Sequence, residues 1–371
     1  MERERDPTHD DSAPRSLIDR VKRLFRFAGR VETRGAARGR GPVDHVILLD
    51  GTLSSLDPGH ETNIGRIYRL LQECQSGRLS IYYESGVQMR LWRHLPDVAM
   101  GRGINRQIRR AYGWLASRYH PGDRIFLLGY SRGAFAVRSL AGIIDRVGLL
   151  RAEHATERNV HLAWRYYQQA ESSRFVDAFR RRYCHDHVEI EMIGVFDTVK
   201  ALGVRLPFLW MWTEPQHEFH SHALSPCVRH GYHALALDEN RAAFDPIMWE
   251  TTNGDWQGRI EQVWFRGSHG DVGGQLSGFE DARPLANIPL VWMLERLERH
   301  GLPLPEDWRE RIHCDPGAPS VGTWRGWGKL FLLRARRQVG RDPSESIHPT
   351  AQGADEAAAR GWLGERTRRR A

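Results

Sequence analysis

Gly129-Tyr130-Ser131-Arg132-Gly133 is the strongest local signal of chemistry in this chain. It matches the G-x-S-x-G turn that presents a nucleophilic serine between a strand and a helix. Small residues are needed there because side chains flanking the serine would collide with neighbouring backbone. The context agrees: the apolar run Ile125-Phe126-Leu127-Leu128 precedes the turn, and the helix-forming Ala134-Phe135-Ala136 follows it. A serine hydroxyl is a poor nucleophile until a base takes its proton, so a histidine and an orienting acid are required. With 18 histidines, residue type alone selects nothing. Chain order does more, because sheets carrying such a turn place serine first, then the acid, then histidine. Catalytic groups also gather at the carboxyl ends of parallel strands. Asp197 follows the apolar run 189–196, and His269 follows another within Gly267-Ser268-His269-Gly270-Asp271-Val272-Gly273-Gly274. Ser131, His269 and Asp197 are therefore the expected nucleophile, base and acid. Asp271 and Asp245 are the competing acids.

An acyl-transfer site also needs donors for the developing oxyanion. The backbone N–H of Arg132 supplies one, and the Asp50-Gly51-Thr52 loop supplies the other through Gly51 or Thr52. Asp50 is expected to brace that loop rather than react. His217, Glu218, His220 and His222 are close in sequence but lie in a loop-like stretch that reads as a polar surface. No metal and no cofactor is expected.

These groups need elements to position them. Val46-Ile47-Leu48-Leu49, Ser80-Ile81-Tyr82-Tyr83, 124–129, 189–196 and 261–265 read as strands. Residues 62–71, 103–119, 133–147 and 288–299 have helical periodicity. Alternating strands and helices predict an α/β fold, a mostly parallel sheet covered on both faces. Residues 1–42 form a polar, basic lead-in in which 16–25 has the pattern of a short amphipathic helix. Residues 43–302 form the folded domain, and 303–371 a basic extension. Within the extension 324–337 reads as a basic, aromatic-rich helix, and the tail after Gly340 as loosely ordered.

The chain has 371 residues, 40% of them hydrophobic, which allows a large core. The formal net charge is +8, with much of the excess near the ends, including Arg368-Arg369-Arg370. Such ends read as solvated tails with scope for peripheral membrane contact, and no nucleic-acid partner is expected. The four cysteines are far apart and read as buried or free thiols of a reducing compartment. The first residues are polar rather than apolar, unlike a secretory signal. The expectation is a cytoplasmic protein, membrane-peripheral at most, or one exported without a cleavable signal.

Six motifs taken together carry a resemblance. In order they are 49–52 (Leu-Asp-Gly-Thr), 62–64 (Thr-Asn-Ile), 129–135 around Ser131, and Gly194-Val195-Phe196-Asp197-Thr198-Val199. His233-Ala234-Leu235-Ala236-Leu237-Asp238-Glu239 and 263–274 around His269 complete the set. They resemble a largely uncharacterised bacterial and fungal α/β-hydrolase family that includes phospholipase effectors of type VI secretion. The resemblance spans roughly residues 43–300 and implies a Ser-Asp-His triad at Ser131, Asp197 and His269. Members often have an aromatic residue where Leu49 stands. The leading expectation is hydrolysis of carboxylic esters through an acyl-serine; the resemblance does not settle the substrate, and the basic amphipathic ends, suited to an anionic interface, make a phospholipid or other acyl-lipid the preferred class. The alternative is a non-catalytic hydrolase scaffold that binds membrane or a partner. Asp50-Gly51-Thr52 is also similar to the D-x-D-G-T loop of haloacid-dehalogenase-type phosphatases, but Leu48 stands where their nucleophile would be.

Overall fold

Val46 to Leu49 lie in a fully buried run because this strand is covered on both faces, as central strands of a parallel sheet are. In the computed structural model the described residues are 30–33, 41–74, 76–86, 102–169, 174–199, 223–251, 257–325 and 333–352. The amphipathic segment 16–25 and the histidines of 217–222 lie outside them.

Eight strands form one sheet: β1 (Arg30–Thr33), β2 (Asp44–Leu49), β3 (Leu79–Glu84), β4 (Arg124–Tyr130), β5 (Ile190–Phe196), β6 (Val228–Ala236), β7 (Ile260–Phe265) and β8 (Glu345–Ile347). The spatial order is β1-β3-β2-β4-β5-β6-β7-β8. Only β1, at one edge, runs antiparallel, so the remaining seven form a continuous parallel sheet. With helices on both sides, this is the α/β-hydrolase-like arrangement expected from the alternation of elements.

The helices are α1 (Asn63–Glu73), α2 (Arg102–Ala116), α3 (Arg132–Arg146), α4 (Glu157–Gln168), α5 (Arg174–Tyr183), α6 (His269–Gly273) and α7 (Arg283–Arg299). Residues alternate across β4: Ile125 and Leu127 pack with α2, α3 and α4, whereas Phe126, Leu128 and Tyr130 pack with α1 and α7. This period of two divides the core into one apolar layer on each face of the sheet.

The C-terminal extension departs from expectation. Of the anticipated helix over 324–337, the described residues are not helical; Arg334 instead forms an isolated bridge with Arg241. The tail read as loosely ordered contributes β8, which extends the sheet beside β7. Three residues carry no usable periodicity, so β8 is specified by its partners. Trp264 Nε1 donates to Glu345 at 2.8 Å, and Thr251 Oγ1 donates to Asp342 at 2.8 Å. All four cysteines are free. Among the described residues no helix is long and apolar enough to cross a membrane.

The two glycines of the serine turn are sterically required. A Cβ on Gly129 would sit 2.6 Å from the Gly133 carbonyl oxygen, and one on Gly133 would sit 2.0 Å from the Leu49 carbonyl oxygen. Both contacts are with backbone, which cannot yield as a side chain does. Gly133→Ala should therefore lower stability by about 2 kcal/mol or more, since overpacking commonly costs 1–3 kcal/mol. Denaturant unfolding monitored by circular dichroism would measure it, and an unchanged midpoint would contradict this packing.

Candidate active site

The carboxyl ends of β2, β4, β5 and β7 bring Asp50, Ser131, Asp197 and His269 to one crest of the sheet. Ser131 sits between β4 and α3 with φ of 57°, a left-handed conformation that L-residues rarely adopt. Its N–H still donates to the Phe196 carbonyl at 3.0 Å, so sheet pairing continues up to the turn. Asp197, the residue after β5, also has a positive φ, 42°. Two non-glycine residues held in costly conformations within one site require strong surrounding constraints.

His269 Nε2 lies 2.9 Å from Ser131 Oγ, and its Nδ1 lies 2.5 Å from Asp197 Oδ2. The structure thus joins the three residues selected from the sequence into one hydrogen-bonded chain. A proton leaving Ser131 has an imidazole nitrogen to receive it, and the opposite nitrogen is fixed by a carboxylate. The His269 ring lies between Tyr130 and Phe244, with centroid distances of 4.9 and 4.8 Å.

The competing acids serve other purposes. Asp271 accepts from Ser268 N and Oγ, both at 2.7 Å, from Ser320 Oγ at 2.6 Å and from Val321 N at 2.8 Å. It pins the start of the short helix that carries His269. Asp245 is exposed. Glu239, to which the sequence reading assigned no role, accepts from the His269 backbone N–H at 3.1 Å.

Asp197 is completely buried, yet its carboxylate is well supplied with partners. Burial alone would push its pKa up, but the Arg337 guanidinium and the His269 bond outweigh that and hold it well below the usual range. Arg337 Nη1 and Nη2 donate to Oδ1 at 2.5 Å and Oδ2 at 2.9 Å, and Ala236 N adds a bond of 3.1 Å to Oδ1. Arg337 also donates to the carbonyls of Ala236 and Phe244, and its side chain is only 3% exposed. This arginine was missed because it comes from the C-terminal extension, 140 residues beyond Asp197. No spacing rule connects the two.

Asp50 braces its loop as expected. It accepts from Gly51 N at 2.7 Å, Tyr83 OH at 2.8 Å, and Thr62 Oγ1 at 2.9 Å to one oxygen and 2.8 Å to the other. Burial nonetheless raises its carboxyl to about 6. A Cβ on Gly51 would come within 3.5 Å of the Ser131 Cβ, so this loop lies against the serine. The Gly51 N–H is spent on Asp50. The Arg132 N–H opens the first turn of α3, where a helix has no internal acceptor for it. Burial lowers the Arg132 guanidinium to about 10, which leaves it cationic at neutral pH.

Residues 44–296 match the family described as the type VI secretion system (T6SS) phospholipase effector Tle1-like catalytic domain. An uncharacterized protein of Saccharomyces cerevisiae, YEL023C, is 31% identical over 246 residues, covering 57% of this chain and 34% of that protein. A solved structure of an uncharacterized Pseudomonas aeruginosa protein is 16% identical, with a TM-score of 0.44, over 80% of this chain and 50% of its own. The Tle1 effector bound to the VgrG spike of the type 6 secretion system is 18% identical, with a TM-score of 0.37, over 64% and 52%. Butyrate-bound esterase Est2 of Thermogutta terrifontis is 14% identical, with a TM-score of 0.40, over 75% and 91%. The chain thus spans about a third of the yeast protein and about half of the first two solved chains.

Two substitutions test the electrostatics. Arg337→Met should cost about 3–5 kcal/mol in denaturant unfolding, because it strips a buried carboxylate of its cation. A cost under about 1 kcal/mol would mean the pair is not buried as described. Asp50 has a folded-state pKa raised from 3.8 to about 6, so the stability it contributes is full below pH 4 and is lost as pH rises through 6. The wild type should lose about 3 kcal/mol across that window through this group. The Asp50→Asn profile should lack that component, and superimposable profiles would refute the assignment.

Proposed function

Because the chain belongs to the T6SS Tle1-like phospholipase effector catalytic-domain family, we propose that it is a serine hydrolase cleaving carboxylic esters of lipids through an acyl-serine intermediate. The observation that carries this reading is the continuous chain from Ser131 through His269 to Asp197.

In this mechanism Ser131 Oγ attacks the ester carbonyl carbon while His269 Nε2 takes the hydroxyl proton. Asp197 holds Nδ1–H and stabilises the imidazolium that forms. The negative charge that develops on the carbonyl oxygen is met by the N–H groups of Arg132 and Thr52. Collapse of the tetrahedral species expels the alcohol, which leaves with the proton from His269. Water then enters, His269 takes its proton, and hydrolysis releases the fatty acid and restores Ser131.

A phospholipid is the preferred substrate class. Family membership supports this. That support concerns the substrate, whereas the nucleophile can be tested without knowing it.

A fluorophosphonate probe, which phosphonylates activated serines, should label the purified protein. Labelling should vanish in Ser131→Ala and slow at least 100-fold in His269→Ala, since members of such a unit act together. Folded wild type that does not label, either alone or with phospholipid vesicles, would overturn the reading in favour of a binding scaffold.

A further inference from the structure

Glu191, His230 and His300 converge at the amino-terminal edge of the sheet, away from Ser131. Glu191 is the second residue of β5, His230 the third of β6, and His300 caps the end of α7. Asp197 lies six positions along the chain from Glu191, roughly 20 Å at the usual strand rise. One candidate ligand atom from each of the three lies within 4.8 Å of the other two. His300 Nδ1 is 3.3 Å from Glu191 Oε1, and the two imidazole centroids are 4.3 Å apart.

Proximity alone would describe any polar cluster. What sets this one apart is how the remaining polar atoms of the three side chains are used. His300 Nε2 lies 2.8 Å from Tyr232 OH. His230 Nδ1 lies 3.1 Å from the Gly258 carbonyl, which can only accept, so Nδ1 carries the proton and Nε2 keeps its lone pair. Glu191 Oε2 accepts from Arg229 at 3.3 Å, which leaves Oε1 toward His300. Metal-binding imidazoles almost always commit their far nitrogen in this way, and binding carboxylates are likewise held by an outer partner. The nearby arginines have their own carboxylates: Arg229 donates to Glu189 at 3.0 Å, and Arg296 and Arg299 reach Glu261 at 2.7 and 3.4 Å.

We propose that Glu191 Oε1, His230 Nε2 and His300 Nδ1 bind one divalent first-row transition ion of the zinc type. Two imidazoles and one carboxylate suit such an ion, with a fourth position left for water. All three residues are partly exposed, so an ion has a way in. Binding requires the single His300 proton to move from Nδ1 to Nε2, where Tyr232 OH can accept it, so that Nδ1 and Glu191 Oε1 both present lone pairs. The ion would tie β5 and β6 to the end of α7, and it has no part in the Ser131 chemistry.

The test uses the full chain after treatment with EDTA. Zinc is titrated against a chromophoric chelator, cobalt is added separately to read ligand-field absorption in the visible, and thermal unfolding is followed with and without zinc. The expected result is one zinc per chain, a rise in melting temperature, and at least tenfold weaker binding in His230→Gln, His300→Gln and Glu191→Gln. His230→Gln is the decisive variant, because among the described residues the His230 hydrogen bond is to a backbone carbonyl and carries no ion pair, so folding is least at risk. Stoichiometric zinc that binds equally well to His230→Gln would place the ion elsewhere and overturn the proposal. No saturable binding to the wild type would also overturn it.

Discussion

Asp197 is a carboxylate with no access to water, and a charge in that position has to be compensated by the protein itself. Three groups do so: the His269 imidazole, the Arg337 guanidinium and the Ala236 N–H. They come from a short helix, a C-terminal segment and the neighbouring strand, so the charge acts as a tie between parts of the chain that are far apart in sequence. If any one is displaced, a buried ion is left short of partners, which costs more than the pair gains when complete. The geometry around His269 rests on this constraint, since the bond that orients its ring is made to this same carboxylate.

The sheet supplies the other requirement, which is approach. Strands β2, β4, β5 and β7 run parallel and deliver their carboxyl ends to one crest, where loops of very different sequence position meet. Close contact there depends on missing side chains. Gly133 lies against the end of β2, Gly51 lies against Tyr130 and Ser131, and a Cβ on Gly273 would fall 1.9 Å from the Tyr130 ring. Tyr130 therefore fills the space that Gly51 and Gly273 leave, and its ring also packs on His269. Packing of the crest and orientation of the His269 ring are one arrangement.

The C-terminal extension takes part in both. Ala335 N donates to the Asn240 carbonyl at 2.8 Å, and Arg334 Nη1 donates to Asn240 Oδ1 at 2.7 Å. Glu345 to Ile347 then pair with β7. Arg337 lies between these two anchors, so its guanidinium is presented by a segment fixed on both sides. The region that matches the catalytic-domain family ends at residue 296, yet a partner of the acid comes from beyond it.

The sequence by itself determined the alternation of elements, the serine turn, and Ser131 and His269 as candidates. These are legible because each depends on local rules: a period of two or 3.6, glycines at a turn, and polar residues just after apolar runs. It left the acid open among Asp197, Asp271 and Asp245, and the loop donor open between Gly51 and Thr52. Only tertiary structure shows that Asp197 meets His269, that Asp271 caps its own helix and that the Gly51 N–H is already engaged. It also decided what no pattern announces. β8 is too short to show a period, Arg337 is one arginine among many, and Glu191, His230 and His300 lie far apart along the chain. Each is defined by the partners it meets after folding, and those partners are far away in sequence.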